Sequence, residues 1–344
     1  PYVHAASEAW VAEDMLRAAV EFAQQNGVQT NDQLFITGYS QGGHAAMALH
    51  RNIEKNLSDE FTVTAAAPMS GPYSIGEVMR DLILTDEVYF YPAYIPNAAL
   101  SYQTVYGNIF NQIEDVFKPE YAGLIEQFYN NQITLTQLNT QLIAALTANE
   151  GASRPFKMLQ DSIVQAVNND LNHPINLALK DNNTYNDWTP QAPMRVSYCM
   201  ADDQVPFENS LLARDSLLAA GATNLQVQDV DPAADHGECY VPAMTNTLLF
   251  FLTYQQIGNV SSTRPLDSGQ LGIFPNPAQS TFTLKDLPAT GRLTIVNYFG
   301  QVFLSTTLNE GDQTISVEHL PDGVYMVQFQ TKKKAWREKL VVQH

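Results

Sequence analysis

The chain of 344 residues carries 36 Asp and Glu against 18 Lys and Arg, which gives a formal net charge of −18. Such an acidic surface repels nucleic acid and anionic membranes, so neither is an expected partner. The length suffices for about two domains with buried cores, and no run in the sequence approaches the ~18 apolar residues of a membrane span.

The charge is divided unevenly along the chain. Residues 1–263 hold 10 Lys and Arg and 29 Asp and Glu, a net charge of −19, whereas residues 264–344 hold 8 and 7, a net charge of +1. The change falls in a stretch rich in Ser, Thr, Gly and Pro. We therefore predict one domain over 1–257, a linker over 258–270 and a second domain over 271–344.

The first predicted element is a helix over 7–26, because Trp10, Met15 and Phe22 recur at helical spacing after Ser7, a good N-cap. A short apolar strand follows it. The next strand is predicted at residues 61–69, a nearly continuous apolar run. Such a run is typical of a parallel sheet that is covered on both faces.

The turn over 38–42, GYSQG, lies between the first of these strands and a helix of small residues. A serine in that position sits in a tight, strained turn, where Gly38 and Gly42 remove side chains that would collide. The first N–H groups of the helix, starting with that of Gln41, can bind an oxyanion. The pattern predicts a nucleophile elbow with Ser40 as the nucleophile.

Residues from about 74 to 190 interrupt the alternation of strands and helices. Helical patterns at 120–130, 136–148 and 156–171 indicate an inserted helical cap. The aromatic stretch 88–94 either lines a pocket for an acyl or aromatic group or forms part of the cap's own core.

The sheet resumes with strands at 194–199 and 224–230, separated by a helix at 208–220 and followed by a helix at 242–254. After the linker, short alternating strands are separated by turns such as Pro-Asp-Gly. This pattern predicts a small all-β sandwich over 271–344.

A nucleophilic serine needs a base, and the base needs an orienting acid. Of seven histidines, His236 is the one that follows a late sheet strand. The loop after strand 194–199 offers Asp202 and Asp203, of which we prefer Asp202. The chain order Ser40, Asp202, His236 is that of an α/β-hydrolase triad.

The two cysteines, Cys199 and Cys239, are too few for a disulfide scaffold and lack the spacing of metal ligands. One ends the strand before the predicted acid, and the other lies three residues after the predicted base. If Asp202 and His236 touch, the two sulfurs are neighbours. We therefore predict a disulfide that holds the two loops together.

Three segments, GYSQGGHAAMALHR, YCMADDQVPFENS and HGECYVPA, make residues 1–256 resemble α/β-hydrolases. They are similar to secreted bacterial lipase-like and lysophospholipase-like esterases that carry a helical lid. In that family strands and a second oxyanion N–H come before the elbow helix. Since Pro1 is not a start methionine, we expect the sheet to be incomplete on its N-terminal side, with Gln41 as half of an oxyanion hole. The chain is then a fragment that is either active or inactive without the missing strands.

The segments FPNPAQ, DGVYMVQF and EKLVV make residues 271–344 resemble the C-terminal sorting domain of type IX secretion cargo in Bacteroidota. The resemblance implies export across the outer membrane by the type IX machinery. The expected location is secreted or on the outer-membrane surface.

Together these features predict a secreted serine hydrolase of carboxylic esters that needs no metal or organic cofactor. A serine peptidase with the same fold is the nearest alternative, because the same triad also cleaves amides. A surface binding protein with an idle hydrolase fold is the other, since fold alone does not fix function.

Overall fold

The computed structural model divides into two compact units, Pro1–Gln256 and Ile257–His344. The predicted linker, 258–270, lies outside the described residues. The structure describes residues 1–28, 30–256, 271–297, 301–331 and 334–344.

A parallel sheet forms the centre of the first unit. Its strands are β1 (Leu34–Tyr39), β2 (Val63–Met69), β3 (Met194–Tyr198) and β4 (Leu225–Asp229). They lie in the order β1-β2-β3-β4, each parallel to its neighbour. In the described part of the chain β1 pairs with β2 alone and so forms an edge of the sheet. Strand β2 is central and apolar on both faces, as expected of a covered parallel sheet.

Helices cover this sheet and build the cap. In chain order the α-helices of the described residues are α1 (Ala5–Gln25), α2 (Gln41–Asn56), α3 (Arg80–Leu84), α4 (Tyr94–Tyr106), α5 (Pro119–Tyr129), α6 (Leu135–Glu150), α7 (Asp161–Asn169), α8 (Pro174–Asp181), α9 (Glu208–Ala219) and α10 (His236–Tyr254). The α/β core and its inserted helical cap were predicted from the sequence, and both are confirmed.

The cap, made of α3 to α8, has a hydrophobic core of its own. Fully buried side chains from α5 and α6 lie at its centre: Tyr121, Ile125, Leu138, Leu142 and Leu146. The single helix predicted at 156–171 is wrong, since a 3₁₀ turn, Pro155–Met158, and α7 replace it. Leu159 separates them, because it is extended and bridges to Phe117.

Helix α1 begins two residues before its predicted start. Its N-cap is His4 and not Ser7, because the His4 ring accepts a hydrogen bond from the Ser7 N–H. The large side chains that predicted the helix are exposed, by 58% for Trp10, 68% for Met15 and 67% for Phe22. Small residues make the contact with α2 instead, which lets the two helices approach closely. They are Ala5, Ala9 and Ala48.

The second unit is a β-sandwich, as predicted. Its strands are β5 (Gly272–Phe274), β6 (Thr281–Leu287), β7 (Gly291–Asn297), β8 (Val302–Leu308), β9 (Gly311–Ser316), β10 (Gly323–Gln330) and β11 (Ala335–Val342). The strand orders β11-β10-β7-β8 and β5-β6-β9 define two sheets that share one apolar core. Among the described residues no helix has the length and apolar character needed to cross a membrane.

Glu54 links α2 to the loop before β3. Its carboxylate accepts hydrogen bonds from His50, the Trp188 indole, and the N–H groups of Gln191 and Ala192. Burial alone would raise its pKa, but the hydrogen bond and charge of His50 and the two N–H donors outweigh this and lower the pKa from 4.5 to about 2. The folded protein therefore favours the ionised carboxylate.

Because the pKa of Glu54 is lower in the folded state, its stabilisation is present above about pH 4.5 and is lost as the pH falls towards 2. We predict that Glu54→Gln lowers the free energy of unfolding at pH 7 by about 2–3 kcal/mol. Denaturant unfolding at several pH values measures this. The gap between variant and wild type should narrow below about pH 4.5.

The matched control is Glu126→Gln, which removes the same charge from an exposed position on α5. We expect it to change stability by no more than about 0.5 kcal/mol. A gap for Glu54→Gln that stays constant down to acidic pH would contradict the assignment.

Candidate active site

Ser40 is the single residue between the end of β1 and the start of α2. Its backbone has φ 59° and ψ −122°, a left-handed conformation that residues with side chains seldom adopt. The Ser40 N–H donates to the Met69 carbonyl at 3.0 Å, and the Ser40 carbonyl accepts from the Gly43 N–H at 2.8 Å. These bonds to β2 and α2 hold the strained turn.

Two glycines make the turn possible. A Cβ atom at Gly38 would lie 2.1 Å from the Gly42 carbonyl oxygen, and one at Gly43 would lie 2.4 Å from the Met69 carbonyl oxygen. A Cβ atom at Gly42 would meet nothing within 4 Å. The sequence interpretation was therefore right about Gly38 and wrong about Gly42, since the close approach of α2 to β2 occurs at Gly43.

Gln41 is the first residue of α2, so its N–H has no intrahelical acceptor. Its side-chain Nε2 donates to Glu8 Oε1 at 2.8 Å, and Glu8 Oε2 lies 2.7 Å from Nδ1 of the buried His44. Glu8 thereby ties α1 to the first turn of α2. The role of the Gln41 N–H as an oxyanion donor stays a prediction.

The predicted acid and base are in contact. His236 Nδ1 lies 2.7 Å from Asp202 Oδ2, with 8% of the histidine side chain and 1% of the aspartate side chain exposed. The other carboxylate oxygen, Asp202 Oδ1, accepts from the N–H groups of Gln204 and Val205 at 3.0 and 2.8 Å. The loop after β3 thus fixes the carboxylate against the imidazole.

Two further side chains hold the backbone of His236. Asp203 Oδ1 accepts from the His236 N–H at 3.2 Å, and the Tyr39 hydroxyl donates to the His236 carbonyl. The Tyr39 and His236 rings lie 5.0 Å apart between centroids. Burial raises the pKa of Tyr39 to about 12, so its hydroxyl keeps its proton. The residue before Ser40 therefore touches the predicted base.

Sequence reasoning missed both of these contacts. It considered Asp202 and Asp203 as alternatives for the acid. In the structure Asp202 bonds to the imidazole of His236, and Asp203 accepts from the His236 backbone N–H. The sequence signal for the Asp203 contact was the pair of adjacent aspartates after β3. Nothing in the sequence pattern pointed to Tyr39, because the second position of the elbow motif accepts any residue.

His236 is the first residue of α10 and not part of a loop. The predicted start at 242 was six residues late. Asp235 caps the helix, since its Oδ1 accepts from the Glu238 N–H at 2.8 Å, and Pro242 lies inside the helix. Asp-x-x-Glu is an N-cap signature, and here it outweighs the preference of proline for the first helical position.

The predicted disulfide is present. Cys199 directly follows β3 and Cys239 lies in the first turn of α10, with an S–S distance of 2.08 Å and both residues fully buried. The bond therefore joins the strand that leads to Asp202 with the helix that starts at His236.

The aromatic stretch of the cap lies on the loop that carries the acid. The Tyr89 hydroxyl donates to the Gln204 carbonyl at 2.8 Å, and the Tyr94 hydroxyl donates to Gln204 Oε1 at 2.9 Å. The Tyr91 hydroxyl donates to Asp203 Oδ2 at 3.3 Å. These tyrosines connect the cap to the loop that holds Asp202, a contact that neither sequence interpretation of the stretch included.

Solved structures of hydrolases share the fold of the first unit. The esterase LipA from Xanthomonas oryzae, described as degrading the rice cell wall, is 27% identical, with a TM-score of 0.62 over 74% of this chain and 65% of that chain. A putative hydrolase from Legionella pneumophila is 24% identical, with a TM-score of 0.65 over 75% of this chain and 66% of that one. Candida antarctica lipase A is 16% identical, with a TM-score of 0.58 over 74% and 55%. The chain spans 65% of the length of LipA.

Residues 272–343 match the family described as a secretion system C-terminal sorting domain. None of the curated proteins matches the chain in sequence. The chain thus joins an α/β-hydrolase fold of the lipase and esterase type to a type IX secretion sorting domain. Such a domain marks a protein that is secreted or attached to the cell surface.

The two glycines of the elbow motif offer a matched pair of substitutions. We predict that Gly38→Ala destabilises the protein by about 2–3 kcal/mol or more, because its methyl group would overlap the backbone of α2. Gly42→Ala should be neutral or stabilising by up to about 1 kcal/mol, since it places alanine in a helix with open space around it. Denaturant unfolding measures both, and equal effects would overturn this account of the turn.

Proposed function

We propose that the chain belongs to a secreted serine hydrolase that cleaves carboxylic esters, with Ser40, His236 and Asp202 as its catalytic residues. The contact between His236 Nδ1 and Asp202 Oδ2 carries the proposal. The strained Ser40 follows β1 of the same parallel sheet, and the chain order matches that of α/β-hydrolases. A strained backbone at the carboxyl end of a sheet strand favours a functional site over a structural one.

In the proposed acylation step, Ser40 Oγ attacks the carbonyl carbon of the ester and His236 Nε2 takes the hydroxyl proton. Asp202 accepts the hydrogen bond from Nδ1–H and stabilises the imidazolium. The Gln41 N–H donates to the oxyanion of the tetrahedral intermediate. Collapse of the intermediate breaks the bond to the alcohol oxygen, which takes the proton from His236 Nε2.

Deacylation repeats these steps with water as the nucleophile. His236 Nε2 takes a proton from the water as it attacks the acyl carbon of the Ser40 ester. The proton then returns to Ser40 Oγ as the carboxylic acid leaves. Ser40 and His236 end in their starting protonation states, so the cycle needs no group beyond these residues and water.

The similar solved structures support ester chemistry. LipA is named an esterase, and the Candida protein is named a lipase. An ester with an apolar acyl or aromatic group is our proposed substrate class, because the aromatic cap residues lie on the acid loop. The sorting domain supports the type IX secretion machinery as a partner.

Labelling with a fluorophosphonate probe, followed by mass spectrometry of the modified peptide, tests the proposed triad. We predict a label on Ser40, none in Ser40→Ala, and labelling slowed by about 10³-fold or more in His236→Ala. The same labelling is done on a protein extended at its N-terminus. Label on the extended protein alone would mean that the triad is right but this chain is an inactive fragment, and absence of label on both would favour the idle surface binding protein.

Substrate preference is tested with p-nitrophenyl esters of increasing acyl length beside aminoacyl nitroanilides. We expect turnover of the esters. Cleavage of the anilides without cleavage of the esters would instead identify a serine peptidase, because both reactions use the same triad.

Asp203 should act as a positioning residue through the main chain of His236. We predict that Asp203→Ala lowers kcat by about 10–100-fold and leaves KM within about threefold, because the imidazole is less well placed in the transition state. Asp203→Asn should keep most of kcat, since its amide oxygen can still accept from the His236 N–H.

Asp215→Ala, which removes a carboxylate from an exposed ion pair on α9, is the charge control and should change neither kcat nor KM. Loss of kcat to the same extent in Asp203→Ala and Asp203→Asn would show that the hydrogen bond to the backbone is not what matters.

A further inference from the structure

Basic residues are scarce in the first unit, and most of them have a defined partner. Arginine and lysine side chains form ion pairs with carboxylates at five positions: Arg17, Arg80, Lys118, Arg154 and Arg214. Two more lie over aromatic rings: Lys157 over Phe156 and Arg195 over Phe250. Of the ten basic residues of this unit, all of which the structure describes, three remain.

The remaining three, Arg51, Lys55 and Lys180, all line one groove of about 450 Å³ between α2 and the end of α8. None of them lies within ion-pair distance of a carboxylate among the described residues. In a unit with 29 acidic residues, three cations without such a partner at one place are unexpected. Two carboxylates, those of Asp181 and Asp187, also line the groove, so its formal net charge is +1 in a unit whose own net charge is −19.

Arg51 shows that the groove is more than exposed surface. It is partly buried, and its Nη1 donates to the Asn183 carbonyl at 2.8 Å, which fixes the guanidinium. Burial lowers the pKa of Arg51, and the charges of Asp181 and Asp187 only partly oppose this. Asp181 is itself engaged, because its Oδ2 accepts from the Tyr106 hydroxyl at 2.6 Å. An external anion would stabilise the charged guanidinium.

The other residues that line the groove indicate which chemical groups such an anion has besides its charged group. Three asparagine amides line the groove, those of Asn52, Asn56 and Asn186. Each Nδ2 donates one hydrogen bond within the protein and keeps a second N–H for a ligand. Leu177 is the apolar side chain of the groove. This lining suits hydroxyl groups and does not suit an acyl chain. The volume is that of a pocket for a small molecule. A long polyanion is disfavoured, because the surface around the groove carries a large negative charge.

We propose that this groove binds a small acidic sugar, with Arg51, Lys55 and Lys180 on its carboxylate or phosphate and the asparagines on its hydroxyls. The site is separate from the proposed active site. Arg51 and Lys55 lie 11 and 15 residues after Ser40 on the same helix, which corresponds to about 16 and 22 Å. The proposal does not depend on the catalytic function.

Isothermal titration calorimetry on the full chain with Ser40→Ala tests the site without interference from catalysis. The probes are glucuronate, glucose 6-phosphate, glucose and inorganic phosphate. We expect one or both acidic sugars to bind at least about tenfold more tightly than glucose, and the affinity to fall with rising ionic strength. The ratio between glucuronate and glucose 6-phosphate tells which anion the site prefers.

Lys55→Gln/Lys180→Gln removes two charges from exposed positions and should leave the fold intact while weakening binding by about tenfold or more. Lys157→Gln, which removes a charge from the cap, is the control and should change binding by less than about twofold. Equal binding of glucose and the acidic sugars, equal weakening in both variants, or no binding at millimolar concentrations would overturn the proposal. Inorganic phosphate that binds as tightly as glucose 6-phosphate would overturn the part played by the asparagines.

Discussion

The passage of the chain from β1 into α2 imposes the constraint on which the candidate site depends. The first turn of α2 lies so close to β1 and β2 that no side chain fits at Gly38 or Gly43. Ser40 adopts a positive φ there, and it is hydrogen-bonded to β2 through its N–H and to α2 through its carbonyl. A position of this kind is retained only when the surrounding structure determines it strongly. The same geometry leaves the Gln41 N–H at an open helix end.

The acid and the base come to this turn from different strands, and several independent contacts bring them together. The disulfide joins the two segments covalently, Asp202 holds the imidazole, and Asp203 and Tyr39 hold the main chain on either side of it. Each hydrogen bond contributes only about 1 kcal/mol net. Together these contacts fix the position of the imidazole. This matters because a small misplacement of a general base lowers the rate far more than it lowers the stability.

The sequence contained the elements of this site that depend on local pattern and chain order. The elbow, the acid loop after β3, the base and the cysteine pair all follow from residues within a few positions of a predicted strand end. Contacts that depend on how distant segments pack could not be predicted from the sequence. Tyr39 matters because of His236, and α1 packs on Ala48 of α2 through its own Ala5 and Ala9 rather than through its large side chains. The start of α10 predicted at 242 was wrong because Pro242 lies inside the helix, whose first turn is capped by Asp235.

The cap also belongs to the site through the loop that carries the acid. Three tyrosine hydroxyls from one short stretch of the cap donate to Gln204 and Asp203, and Tyr89 is buried in the process. If each contributes about 0.5–1.5 kcal/mol, separating the cap from this loop costs about 2–4 kcal/mol, which keeps the separated state at a few per cent or less. The cap and the acid loop therefore move together, so a change in the cap that displaces these tyrosines also displaces Asp202.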